Sequence, residues 1–70
     1  MKAYTVTELM RFLYSLHKQG SIQGDSEVWL SSDEEGNSFS PLLNNPEVSV
    51  GIEGGKIIFY PSTLHTVTEI

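Results

Sequence analysis

The sequence predicts an α+β domain, with one N-terminal amphipathic helix packed on a small, mainly antiparallel sheet of three or four strands. Three observations point there. A helix-start signature at Thr5 and Glu8 opens a stretch with helical apolar spacing, a glycine pair separates two β-branched runs near the C-terminus, and turn-rich segments cut the middle into pieces of strand length. With 70 residues the chain has room for one core, because a domain this small buries only about 60% of its unfolded surface. The domain is expected over residues 1–61, with 62–70 an extended or loosely ordered tail. At 39% apolar and 19% charged residues, the composition is that of a folding chain rather than a disordered one.

The helix comes first. Thr5 and Glu8 form a capping box, in which each side chain satisfies an amide that the helix start leaves unpaired, and Tyr4 and Leu9 occupy the positions of a hydrophobic staple. The helix therefore begins at about Val6. Val6, Leu9, Met10, Phe12, Leu13, Leu16 and His17 share one broad side, while Glu8, Arg11, Ser15 and Lys18 fall on the other. Gly20 can supply the left-handed residue that ends it.

Next come the strands. Residues 27–32, EVWLSS, have strand content, and the turn-forming run from Asp33 to Asn37 follows. Pro41 in SFSPL cannot donate a ladder hydrogen bond, so that segment is expected as an edge strand or extended loop, with 43–46 as a second turn. Around Gly54 and Gly55 the hairpin can be predicted to its register. Glu53 faces Lys56, Ile52 faces Ile57 and Val50 faces Phe59, giving an opposite-charge pair by the turn and one apolar face that includes Val48. A shift of one residue would break these agreements together. Pro61 ends the last strand.

The motifs that could carry chemistry are incomplete. Placing Gly36 at the sixth position of a calcium loop puts Ser31, Asp33 and Glu35 at the first, third and fifth, but Leu42 where a bidentate Glu is required. His17 and His65 are the two histidines, there is no cysteine, and no zinc-binding spacing occurs. No nucleophile elbow is present, and GIEGG sits in a hairpin turn with no following helix to hold a phosphate. No catalytic residue, metal or cofactor is expected. The rival reading is a metal-assisted or subunit-interface enzyme using the acidic loop 33–37 and a histidine.

Charge narrows the partners. The formal net charge is −5, and Lys2, Arg11, Lys18 and Lys56 are scattered, so nucleic acid is not an expected partner. Nor is a membrane, since a span needs about 18 or more apolar residues. An acidic surface suits a basic protein partner and also keeps a small protein in solution. Ile58 and Tyr60 fall opposite the Ile57 and Phe59 face, and either Trp29 or the pair Val28 and Leu30 likewise lies away from the helix, so one helix cannot shield both sides of the sheet; Trp29, Ile58 and Tyr60 are taken as the outward set. The expectation is a protein-binding module that is also a homodimer. Its partner-binding residues are Trp29, Ile58 and Tyr60 with Asp33, Glu34, Glu35 and Asn37 of the loop. The alternative cover for that face is the tail, through Leu64 and Val67.

Ser32, Asp33, Glu35, Gly36, Asn37, Ser40, Pro41 and Leu42 make up the pattern Ser-Asp-x-Glu-Gly-Asn followed by Ser-Pro-Leu. With the TVTEL helix start and the closing IIFYP, the chain resembles a group of small proteins encoded in tailed-phage genomes over most of residues 5–61. That resemblance brings no activity, cofactor or site residue with it. It implies a phage gene product in the host bacterial cytoplasm, acting as an accessory or host-modulating factor by binding a bacterial host protein.

Overall fold

The computed structural model describes residues 1–63 and 66–68, so Leu64 and His65 lie outside the described residues. Its elements run α1 (Val6–Lys18), β1 (Trp29–Ser31), β2 (Phe39–Pro41), α2 (Pro46–Ser49), β3 (Val50–Glu53) and β4 (Lys56–Phe59). The class is α+β. The strands form two antiparallel two-stranded ladders, β1 with β2 and β3 with β4, rather than one sheet.

Local chemistry sets both ends of α1. The Glu8 amide donates to Thr5 Oγ1 at 3.1 Å, and the Thr5 amide donates to Glu8 Oε1 at 3.0 Å, which completes the capping box. The Thr5 backbone amide, and after it the Thr5 hydroxyl, bond the charged carboxylate and hold the Glu8 pKa below its ordinary value. At the other end Gly20 takes φ +80°, its amide donates to His17 O, and the Ser21 amide donates to Leu16 O. That pair of bonds is a Schellman motif. Tyr4 stacks on Phe12, with ring centroids 6.2 Å apart.

The hairpin has the predicted register: Val50 opposite Phe59, Ile52 opposite Ile57, Glu53 opposite Lys56. Gly54 and Gly55 have φ of +55° and +74°, the positive values that a two-residue turn of this hand demands. Gly51 lies opposite Ile58, and Tyr60 sits on the same side of the hairpin. Its ring fills the space above Gly51, where an added Cβ would come within 2.8 Å of Tyr60 Cε2.

One element differs from the sequence reading. Val48 belongs to α2, not to a strand. Asn45 caps this short helix by accepting the Glu47 amide at its Oδ1, Pro46 occupies the first turn, where a missing amide costs nothing, and Ser49 Oγ donates to Asn45 O. The hairpin then joins α2 through the Tyr60 amide, which donates to Ser49 O at 2.8 Å.

On the other ladder the register is Trp29 to Pro41, Leu30 to Ser40 and Ser31 to Phe39. The Ser32 amide donates to Ser38 O and the Leu42 amide to Val28 O, so hydrogen-bonded pairs alternate past Pro41. Pro41 therefore sits where β1 asks nothing of its nitrogen. The opposite edge of β2 is taken at Phe39 by Val67, through paired backbone bonds of 2.6 and 2.7 Å. Pro41, two residues on, has no amide to extend that pairing. In the described part of the tail Ser62 is buried, Thr66 Oγ1 donates to Ser62 O, and Val67 pairs with Phe39.

Packing departs most from expectation. Among the described residues no apolar side chain is buried, and the buried residues are Ser40, Ser49 and Ser62. No residue of α1 is buried; Leu9 and Leu16 are half-buried and the rest of the helix is exposed. A cleft of about 260 Å³ separates Val6, Leu9, Met10 and Leu13 from Ile57 and Phe59 of β4. The helix therefore faces the hairpin without closing on it. No helix among the described residues is long and apolar enough to cross a membrane.

The two glycines of the hairpin separate backbone strain from crowding. Gly55→Ala should cost about 1–2 kcal/mol in chemical denaturation from its left-handed backbone, since no atom lies within 4 Å of the added methyl. Gly51→Ala should cost about 1–3 kcal/mol through collision with the Tyr60 ring. Only the second loss should shrink in a Tyr60→Ala background; strict additivity there would mean that the ring does not set the limit.

Candidate functional site: the acidic loop and the open apolar faces

The loop 32–38 joining β1 to β2 is stitched from inside. Asp33 Oδ1 accepts the amides of Glu35 at 3.1 Å and Asn37 at 3.2 Å, and Oδ2 accepts the Asn37 side-chain amide at 2.8 Å. Ser31 Oγ adds a bond to Asp33 O. Gly36 turns the chain with φ +70°, and the Phe39 ring lies against it, 3.2 Å from where a Cβ would stand. Residues i and i+2 of a strand share a face, so Trp29 and Ser31 lie on the same side of the ladder as Pro41 and Phe39. The loop folds over that side through Phe39 and Gly36.

This geometry gives most residues of the motif a structural place. Asp33 and Asn37 close the loop, Gly36 makes the turn, Ser40 is buried, Pro41 occupies a position needing no donor, and Leu42 bonds back to Val28. The carboxylates of Glu34 and Glu35 have no such task. Both residues are exposed, and neither side chain makes a hydrogen bond or ion pair with a described residue. The loop is therefore internally hydrogen-bonded and carries two solvent-facing carboxylates.

Asp33 itself is occupied. Its pKa lies below the ordinary aspartate value because the Asn37 side-chain amide, then the Asn37 backbone amide, bond its charged form, reinforced by the amides of Glu35 and Gly36. Among the described residues no three histidine or acidic side chains converge in a way that could hold a metal ion. His17 is exposed on α1, and His65 lies outside the described residues.

The other residues named from sequence are divided between the two ladders. Trp29 is half-buried on β1, and its indole N–H donates to Glu27 Oε1 at 2.9 Å. Ile58 is half-buried on β4, and Tyr60 is exposed beside it, its ring spent partly on Gly51. The opposite hairpin face is the more open one, with Ile52 at 76% exposure and Ile57 at 49%. Sequence reasoning assigned that face to the helix, whose own Met10 and Val6 remain exposed. A second concavity, an open groove of about 670 Å³, runs between residues 24–28 and the segment from Pro41 to Val50. It was not foreseen, because α2, which forms one wall, was read as turn and strand.

Comparison with protein-family models, with curated proteins and with solved structures gave no match, so the reading of the site rests on its own geometry.

The Asp33 bonds make the loop pH-sensitive in a defined direction. Because the folded-state pKa is depressed, the charged carboxylate stabilises the loop fully above its ordinary value of about 3.9, and this contribution is lost as pH falls through the depressed value. In an NMR titration the Glu35 and Asn37 amide signals should move together, with a midpoint below about 3.9. A midpoint at or above that value would show that the carboxylate is not bonded in this way.

Proposed function

We propose that this chain is a non-enzymatic protein-binding module, a phage accessory or host-modulating protein that acts on a bacterial protein in the host cytoplasm. The observation that carries the reading is the loop, whose Asp33–Asn37 bonds fix its shape while Glu34 and Glu35 project unpaired. Preorganised charge of one sign suits a basic patch on a partner, which gains affinity without ordering the loop first. Trp29, Ile58 and Tyr60 supply half-buried or exposed apolar area of the kind that anchors protein contacts. The resemblance to tailed-phage proteins supports a bacterial partner and a cytoplasmic setting.

Affinity capture from the producing bacterium tests this. Wild type should retain a partner with a basic surface, and a Glu34→Gln, Glu35→Gln variant should release it at clearly lower salt while keeping the wild-type circular dichroism spectrum. A Trp29→Ala, Tyr60→Ala variant should retain less of the same partner. Absence of any retained protein, or equal retention by all three forms, would overturn the assignment of the surface.

A further inference from the structure

We propose that the open face shared by α1 and the β3–β4 hairpin is the interface of a homodimer, in which each copy covers the other's apolar face. Val6, Met10 and Leu13 of α1, with Ile52, Ile57 and Phe59 of the hairpin, form its centre. This surface differs from the acidic loop, and the inference stands whether or not the loop binds a host protein.

The first argument is area. The chain exposes 6183 Å² at a mass of 7.8 kDa, whereas a folded monomer of that mass exposes about 4,400 Å². Its radius of gyration is 13.2 Å, against about 11 Å for a compact chain of 70 residues. The excess is roughly 1,800 Å² over the whole chain, with the cleft between α1 and the hairpin and the groove beside α2 both contributing. A transient partner typically covers about 800 Å², whereas obligate homodimers bury about 2,000–5,000 Å² over both chains, the range into which twice this excess falls. The exposed apolar side chains of α1 and the hairpin supply part of that excess, and a second copy to cover them is available wherever the chain is made.

The second argument is charge. The six central side chains are uncharged; His17 shares their arc of α1, and Glu8, Arg11 and Lys18 sit on the opposite one, so the contact takes in no lysine, arginine or carboxylate of the helix. The chain is also polar in its charge. Lys2, Arg11 and Lys18 against Glu8 leave residues 1–20 at +2, while the remaining residues carry −7. In a two-fold pairing that lays one copy's helix on the other's hairpin, the helix meets a hairpin of no net charge, because Glu53 and Lys56 face each other across the turn. The described tail does not compete for this face, because Val67 is held at Phe39 on the other ladder.

Sedimentation velocity and thermal melts of the full chain over a concentration series test the proposal. Wild type should sediment at twice 7.8 kDa, with a melting temperature that rises with concentration. Met10→Asp and Ile57→Asp should each raise the dimer dissociation constant by roughly 100-fold or more, since each buries an unpaired charge, while Glu34→Gln, Glu35→Gln should leave it unchanged. As an uncovered variant could unfold, a second measurement is made on wild type. In a mixed dimer of isotope-labelled and unlabelled chains, the Met10 methyl should show contacts to the unlabelled partner. A folded monomer at roughly 100 µM with a concentration-independent melt would overturn the proposal. So would a dimer lacking those contacts and unaffected by either aspartate.

Discussion

A chain this small can enclose a core only by laying its helix flat against its strands, and here α1 stands off β4 across an open cleft. That separation governs the rest of the structure. Each large apolar side chain left in water forgoes about 1.5–3 kcal/mol of burial free energy. Among the described residues the buried positions go instead to Ser40, Ser49 and Ser62; Ser40 is paired with Leu30 across the ladder, and Ser49 O accepts the Tyr60 amide. Hydrogen bonding is therefore well satisfied in a molecule whose hydrophobic term is largely unspent.

The local devices show why the elements persist in such a setting, and also why they are insufficient. The capping box and Schellman motif on α1, the Asn45 cap on α2, the Asp33 bonds and the glycine turn each close off a few backbone groups. A cap of this kind contributes about 0.5–2 kcal/mol. Such terms fix where an element starts and stops. They do not replace the burial of a helix face and a hairpin face, because ordering each residue costs about 1–2 kcal/mol of backbone entropy.

The same division explains what could be read from the chain. Thr5, Glu8 and Gly20 bounded the helix because capping depends on residues within one turn of each other. Glu53, Gly54, Gly55 and Lys56 set the hairpin register because a two-residue turn leaves one pairing that keeps Ile52, Ile57, Val50 and Phe59 on one side. The short α2 was missed although its signal was present in Asn45, Pro46 and Glu47, a cap residue, a first-turn proline and a first-turn acid. Val48 reads as strand by alternation with Val50 and Ile52, and four residues are too few for helical spacing to contradict it. The split into two ladders was not legible, since it depends on how α2 joins the hairpin to the rest of the chain. Nor was the standing-off of α1, because an amphipathic pattern shows that a face is suited to burial without naming what buries it. In the loop, Asp33, Gly36 and Asn37 read both as turn residues bonding local backbone and as contacts for a partner; the local bonds and the left-handed glycine are present, and they take both oxygens of Asp33.

The two surfaces of the molecule differ in the physics they offer. The loop carries fixed, solvated charge, whose influence on a partner is long-ranged and screened within about 8 Å at physiological salt. The α1–hairpin face carries uncharged apolar area, whose contribution is short-ranged and appears only when water is expelled. A chain at −5 that associates with itself must keep its acids away from the contact, and the acids of the 32–38 loop belong to the β1–β2 ladder while the open face belongs to α1 and the β3–β4 hairpin. Self-association through the apolar face would therefore leave the loop in solvent, once in each copy. Two loops on one rigid body would then present their glutamates together, and a partner with two matching basic patches would gain from the second contact without any new chemistry in the site.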